Sequence, residues 1–312
     1  MIRARSHRRA RAAAVIVANA ALLLTSCTGE GEQQDPQVDR VLQEARTVNQ
    51  SRHVAERFEP HPVVMDDPDG FATSELFYPS SEVLILADDT PAAQLRAASL
   101  AVVAHAPMLI YRGDRHADVI REIERMSTHT VYAVGDVPVL GYTDKLTVIK
   151  DPGGHEALEK ATALGFEEQE VAAAEDAAAA VAGLTDGEPT WLRAGYGPQQ
   201  HVAEDAKPGV VPVRSRQDAE MAPQVIALPE SSLAAIATAR AFGANVYMAD
   251  KPDPRESHLT LVLTAGLSEL PLVALGRAFG RSDELAQRIR EAEENIQPGD
   301  LNNISSLPQS PD

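Results

Sequence analysis

Cysteine, aromatic rings and basic charge are what this chain has least of. A single cysteine, Cys27, stands in 312 residues, which excludes an intrachain disulfide, a thiolate-held iron–sulfur cluster and a Cys-ligated zinc site. Aromatics make up 4% of the chain, with one Trp and six Tyr, so a groove of sugar-stacking rings is not expected and the core falls to Ala, Val, Leu and Ile. Basic residues number 28 against 46 acidic ones. A chain this acidic repels nucleic acid and anionic head groups at long range, and no nucleic-acid partner is expected. Long hydrophobic runs are missing too. The stretch from Ala12 to Leu24 has 13 residues, many of them Ala, against the about 20 that a membrane-spanning helix needs.

What stands at the N-terminus is a three-part leader. Arg3, Arg5, Arg8, Arg9 and Arg11 form a basic region, Ala12 to Leu24 an uncharged apolar one, and Leu24-Thr25-Ser26-Cys27 closes it. This is the layout of a secretory signal peptide. Arg8-Arg9 hints at the twin-arginine route, but the residues that follow fit it poorly, and a plain secreted protein would need no Cys. The last four residues resemble the bacterial lipobox, which implies cleavage before Cys27, acylation of its thiol and new amino terminus, and a palmitate-type anchor in the membrane. Two or more acyl chains anchor stably where one does not. Removing residues 1–26 takes away five Arg and no acid and moves the net charge from −18 to −23.

Residues 27–36 read as a flexible tether, and 37–70 as a short helix (37–49) followed by an irregular lead-in with turns at His61-Pro62, Asp67-Pro68 and Asp69-Gly70. An alternation of strands and helices follows. Glu82 to Ala87 is a continuous apolar run, as in a strand buried on both faces. Pro91 opens a helix that runs to about His105, Met108 to Tyr111 is the next strand, 115–126 an amphipathic helix, and Thr130 to Val134 a third strand before Gly135-Asp136. The pattern recurs from Gln224 to Gly276, with 52 positions from Val83 to Gly135 and 51 from Val225 to Gly276, which argues for an internal duplication. A weaker middle copy takes in strands at 146–150 and 166–171, an Ala-rich helix at 172–182 and Trp191 to Gly195. The expected fold class is α/β, with repeated β-α-β-α-β units, parallel sheets and a Rossmann-like character. Its units are 71–140, 141–205 (degenerate) and 222–280, followed by a C-terminal helix at 281–297 and a disordered tail at 298–312.

The first unit resembles the cell wall-binding repeat 2 family. The resemblance rests on Phe71-Ala72-Thr73-Ser74, Glu82-Val83-Leu84-Ile85-Leu86-Ala87, Ala98-Ser99-Leu100-Ala101, His105-Ala106-Pro107-Met108-Leu109-Ile110 and Val131-Tyr132-Ala133-Val134-Gly135 in that order. Ala237-Thr238-Ala239-Arg240-Ala241-Phe242-Gly243-Ala244 carries it more weakly in the last unit. The family's closing Gly-Gly is Gly135-Asp136 here, and Gly70 stands near the place of its Arg. The resemblance implies tandem repeats on the cell surface and a cell-wall polymer as partner.

Residues with chemistry are few. In an open parallel sheet, ligands bind outside the carboxyl ends of the strands, so Asp88, Asp89 and Asp136 are the candidate ligand-facing residues, though N-caps and turns use the same residue types. Asp66-Asp67-Pro68-Asp69-Gly70 has part of a calcium-loop pattern but is broken by Pro68 and lacks the closing Glu. His53, His61, His105, His116, His129, His155, His201 and His258 make no His-x-x-x-His or His-x-His pair, so no metal site is expected. His105 suits the C-terminal end of a helix. Asp151-Pro152-Gly153-Gly154-His155 is a turn rather than a phosphate loop. Ser231-Ser232 reads as an N-cap pair, and Arg112-Gly113-Asp114 as a strand-end turn. No cofactor and no catalytic constellation is expected. The leading expectation is a noncatalytic lipoprotein on the extracytoplasmic face of the cell membrane, held by Cys27 and binding or organising a wall component. The alternative is the solute-binding lipoprotein of an importer, and an envelope hydrolase ranks last.

Overall fold

A computed structural model describes residues 36–138, 145–213, 221–296 and 301. The leader, Cys27 and nearly all of the tail lie outside the described residues, as do the readings made on them. The elements are α1 (Pro36–Gln50), β1 (Pro62–Met65), α2 (Phe71–Phe77), β2 (Val83–Ala87), α3 (Pro91–Ala104), β3 (Met108–Ile110), α4 (His116–Met126), β4 (Thr130–Val134), β5 (Thr147–Lys150), α5 (His155–Thr162), β6 (Glu167–Val171), α6 (Ala177–Ala182), β7 (Thr190–Ala194), β8 (Gln224–Ala227), α7 (Leu233–Phe242), β9 (Val246–Met248), α8 (His258–Thr264), β10 (Leu272–Leu275) and α9 (Ser282–Asn295).

Local chemistry accounts for most of these boundaries. The apolar runs of β2, β3 and β10, and β8 behind its leading Gln224, are buried along their whole length, as strands covered on both faces must be. Pro91 occupies the first turn of α3, and the Thr90 hydroxyl accepts the Ala93 N–H at 3.3 Å, pairing a side-chain cap with a residue that has no N–H to leave unsatisfied. Gly243 ends α7 in the left-handed region at φ 102°, where glycine adopts the conformation without a Cβ penalty. His105 ends α3 in the same region at φ 51°, at the helix end where it was expected.

All strand pairs are parallel. The first sheet runs β3-β2-β4-β5, the second β9-β8-β10-β1, and the third holds β6 and β7. The fold is therefore α/β with parallel sheets and a Rossmann-like order. In both four-stranded sheets the first strand of the unit (β2, β8) is flanked by its second (β3, β9) and third (β4, β10). The fourth place goes to a strand from outside the unit. β5, read from the sequence as the start of the middle copy, lies beside β4 with Thr130 opposite Thr147. β1 lies beside β10 with Pro62 opposite Leu272, so the N-terminal end of the chain completes its C-terminal sheet. The irregular lead-in expected over 50–70 thus contains a strand. Pro62 cannot donate to a ladder, but at the first residue of an edge strand it has no need to.

At the centre, α3 packs on α7, and α6 packs on both. These helices are Ala-rich and buried almost all round. Ala lets three helices meet closely between sheets, so a chain poor in aromatic residues can still fill its core. The same helices seal sheet edges. The Thr238 hydroxyl on α7 accepts the Met108 N–H at 3.0 Å and donates to the Met108 carbonyl at 3.1 Å. The Ser99 hydroxyl on α3 accepts the Leu192 N–H at 2.9 Å. Each bond satisfies backbone that a parallel edge would otherwise leave open. Four rings gather beside α7, with Phe77 and Tyr78 at 5.4 and 5.7 Å from Phe242 and Phe58 at 5.6 Å from Phe77.

Helix α1 docks on the last unit. Leu42 and Ala45 join Leu261, Val262, Ala265 and Ala292 in one apolar cluster, and the Asn49 amide donates to the carbonyls of Val262 and Ala265 at 3.0 and 2.9 Å. Leu301, in the segment read as disordered, is buried in the same cluster. Among the described residues no helix is long and apolar enough to cross a membrane.

Candidate binding crevice at the strand ends

The order β3-β2-β4 creates a switch point between β2 and β4, and β9-β8-β10 creates one between β8 and β10. Ligand crevices form at such points, outside the carboxyl ends of the strands. The loops that meet there are tied together by one side chain in each sheet.

In the first sheet that side chain is Asp88. It is buried, and its Oδ1 accepts the Thr90 N–H at 2.9 Å and the Thr90 hydroxyl at 2.6 Å. Its Oδ2 accepts the Asp136 N–H at 2.8 Å. Gly135 sits at φ 88°, and a Cβ there would lie 2.1 Å from Asp88 Oδ2. Asp88 thus fastens the β2 loop to the end of β4, and both its oxygens are occupied. Asp89 and Asp136 are exposed on either side. Arg112 is held above its usual range by the hydrogen bond it donates to Asp69, with Asp89 a smaller cause. The Tyr111 hydroxyl is raised by burial and then by Asp136. The structure therefore brings the three acids together around one loop junction beside Arg112 and Tyr111. Among the described residues no group of three or more His, Asp or Glu is arranged to hold a metal ion.

In the second sheet the corresponding side chain is Ser231. It is buried, accepts the Leu228 N–H at 2.8 Å and donates its proton to the Leu275 carbonyl. Ser232 caps α7 and donates to the Pro68 carbonyl at 2.9 Å. Across from it, Asp67 is buried and caps α2, accepting the Thr73 N–H and hydroxyl, both at 2.7 Å, and the Gly70 N–H at 3.1 Å. The broken calcium-loop pattern is thus a helix cap. Its last acid, Asp69, pairs with Arg112 at 2.7 Å, which also accounts for the Arg-Gly-Asp turn.

Between these loops lies a crevice of about 580 Å³, walled by Met65, Asp66, Ser231, Ser232, Gly276 and Arg277 among others. Its size falls in the range of small-molecule sites. Asp66, Glu230 and Arg277 are exposed at its mouth, and Arg277 has no ion-pair partner among the described residues. The crevice therefore offers a guanidinium, the first turn of α7 and two carboxylates, a set suited to a polar ligand with both donors and acceptors. Sequence reasoning missed Met65, because β1 was not read as a strand. It also missed Arg277, which stands where Asp136 stands in the first unit. The matched spacing that paired Gly276 with Gly135 was the signal for it.

A second polar centre is built around a buried ion pair. Arg96, on α3, donates through Nε and Nη2 to the Asp151 carboxylate at 2.6 and 3.0 Å, and through Nη2 to the Gly154 carbonyl at 2.9 Å. Asp151 also accepts from the Tyr132 hydroxyl at 2.9 Å and the Gln200 amide at 2.6 Å. Trp191 lies 5.3 Å beneath the guanidinium. Burial, and then the Asp151 charge, push the Tyr132 hydroxyl well above its ordinary value. These bonds tie α3 and β4 to the loops that follow β5 and β7, which marks a structural clamp between the first unit and the middle segment. No family model, curated protein or solved structure matches the chain.

Proposed function

We propose that this chain is a noncatalytic lipoprotein of the bacterial cell envelope, anchored through acylated Cys27 on the extracytoplasmic face of the membrane, whose α/β body binds or organises a wall component. The observation that carries the proposal is the leader, with its five arginines, apolar middle and Leu24-Thr25-Ser26-Cys27 end, because the chain's sole cysteine falls where the lipobox requires one. Further support comes from the order of motifs in residues 71–136, which resembles the cell wall-binding repeat 2 family. From Cys27 to Pro36 is nine residues, at most about 30 Å of extended chain, so the body would work in the layer of wall nearest the membrane. Its acidity limits how it can hold an anionic polymer. Contact would run through local cations such as Arg277 or through a bridging metal ion.

The test is co-sedimentation of the protein with purified wall, with and without calcium. Retention that falls when Arg277→Glu is introduced, or that depends on calcium, supports wall binding. No retention in either condition refutes that half of the proposal.

The crevice favours one other reading, the solute-binding protein of an importer, since about 580 Å³ at a switch point suits a small polar solute. A thermal-shift screen with amino acids, sugars and nucleosides separates the two. Strong stabilisation by a single solute would favour import.

A further inference from the structure

The third sheet stops short of the other two, and its free side has a definite chemistry. β6 has β7 on one side, and among the described residues no strand lies on the other. The far side of β7 is covered by α3 through Ser99, so the open edge of this sheet belongs to β6. The residue pattern follows. β2 and β8 are buried throughout, whereas Glu167, Glu168, Gln169 and Glu170 of β6 are all exposed.

The hydrogen-bond alternation shows which groups face outward. Glu167 N–H donates to Pro189 O at 2.9 Å, and Val171 O accepts from Gly195 N–H at 2.8 Å. Residues 167, 169 and 171 therefore face β7, and the N–H and C=O of Glu168 and Glu170 point away from it. These backbone groups have no partner among the described residues. The side chains of Glu168 and Glu170 share a single cation, Arg193, with the Glu168 contact at 2.6 Å. The strip remains negative.

We propose that the free edge of β6 is a docking site for an extended cationic segment of another polypeptide, added as a neighbouring strand. Main-chain bonds to Glu168 and Glu170 would supply the attachment and alternate Lys or Arg side chains the selectivity, as in strand addition generally. Charge decides the occupant. A second copy of this chain would set Glu against Glu across the new pair, which is destabilising, while a cationic segment meets the opposite sign and is steered by the net charge of −18. The proposal does not depend on the wall reading.

The test uses the full chain in detergent and a nine-residue peptide of alternating Lys and Val, with an alternating Glu and Val peptide as control. Amide exchange at Glu168 and Glu170 and fluorescence anisotropy are the readouts. The expected result is saturable binding of the Lys peptide alone, weakened by salt, with slowed exchange at both amides. Glu168→Lys with Glu170→Lys should weaken binding at least tenfold. Glu168→Pro, which removes an outward N–H where an edge strand tolerates it, should abolish the protection while leaving the melting temperature in place. Absence of saturable binding, or binding that leaves these amides exchanging freely, would overturn the proposal. Protection already present in the free protein, meaning the edge is covered from within the chain, would overturn it as well. So would a concentration-dependent dimer that protects the same amides.

Discussion

Replacing Arg96 with Met should be among the most damaging single changes in the body. The guanidinium is 2% exposed and the Asp151 side chain fully buried. In the Arg96→Met variant the Asp151 carboxylate would keep only the Tyr132 hydroxyl and the Gln200 amide as partners. Removing one member of a buried ion pair leaves an uncompensated charge in a low-dielectric setting and typically destabilises by about 3–5 kcal/mol. For a body of this size each kcal/mol moves the melting temperature by about 2–4 °C, so a fall of about 10 °C is expected in calorimetry or circular dichroism. The double variant Arg96→Met with Asp151→Leu removes both charges and should recover at least half of that loss, because replacing a whole buried pair by apolar groups is often close to neutral. A single variant that melts within about 2 °C of the parent, or a double variant no better than the single, would refute the reasoning.

Three further changes probe other parts of the fold. Gly135→Ala forces a Cβ to 2.1 Å from Asp88 Oδ2 at a backbone φ of 88°, and should cost more than about 2 kcal/mol in urea unfolding; a neutral result would mean that Asp88 does not bridge β2 and β4. The Tyr78 hydroxyl is buried without a hydrogen-bond partner among the described residues, and burial raises its pKa well above the ordinary value. Tyr78→Phe should therefore be neutral or stabilising by up to about 1 kcal/mol, and a loss beyond about 1 kcal/mol would reveal a partner. At Asp253, burial pushes the carboxyl up, but the hydrogen bonds and charge of Arg255, with Arg288, outweigh it and leave the pKa below its ordinary value. A lowered carboxyl stabilises above its unfolded pKa and loses that contribution as pH falls through the folded one. The gap in melting temperature between the parent and Asp253→Asn at pH 7 should thus narrow as the pH falls below about 4, the ordinary carboxylate value; a gap that stays constant or widens as the pH is lowered would contradict the assignment.

Individual elements were readable wherever one local rule governed them. The apolar run of β2, the capped start of α3 at Thr90-Pro91 and the glycine stop after α7 all fall where their residues place them. Pairing was less legible, because parallel neighbours come from distant parts of the chain. Nothing near Thr147 says that it will lie opposite Thr130, and nothing near Pro62 points to Leu272. The polar interior was harder still. Nothing within the Ala-rich stretch of α3 says that Arg96 turns inward to meet Asp151, 55 positions away. At the strand ends the rule for parallel sheets led to Asp88, Asp89 and Asp136, which do gather at one switch point. The crevice of about 580 Å³ lies at the other switch point, where Ser231 and Arg277 take the corresponding places. The Glu-rich run of β6 was legible as a strand, but its free edge followed only from the sheet order.

The most direct measurement for a lipid-anchored envelope protein is fractionation of cells producing the parent chain and the Cys27→Ser variant, with intact mass of the parent's N-terminal peptide. A diacylglyceryl-modified Cys27 as the first residue, with the parent in the membrane fraction and the variant released or left unprocessed, is the predicted result. An unmodified thiol, or a variant that sediments with membranes after processing just as the parent does, would contradict it.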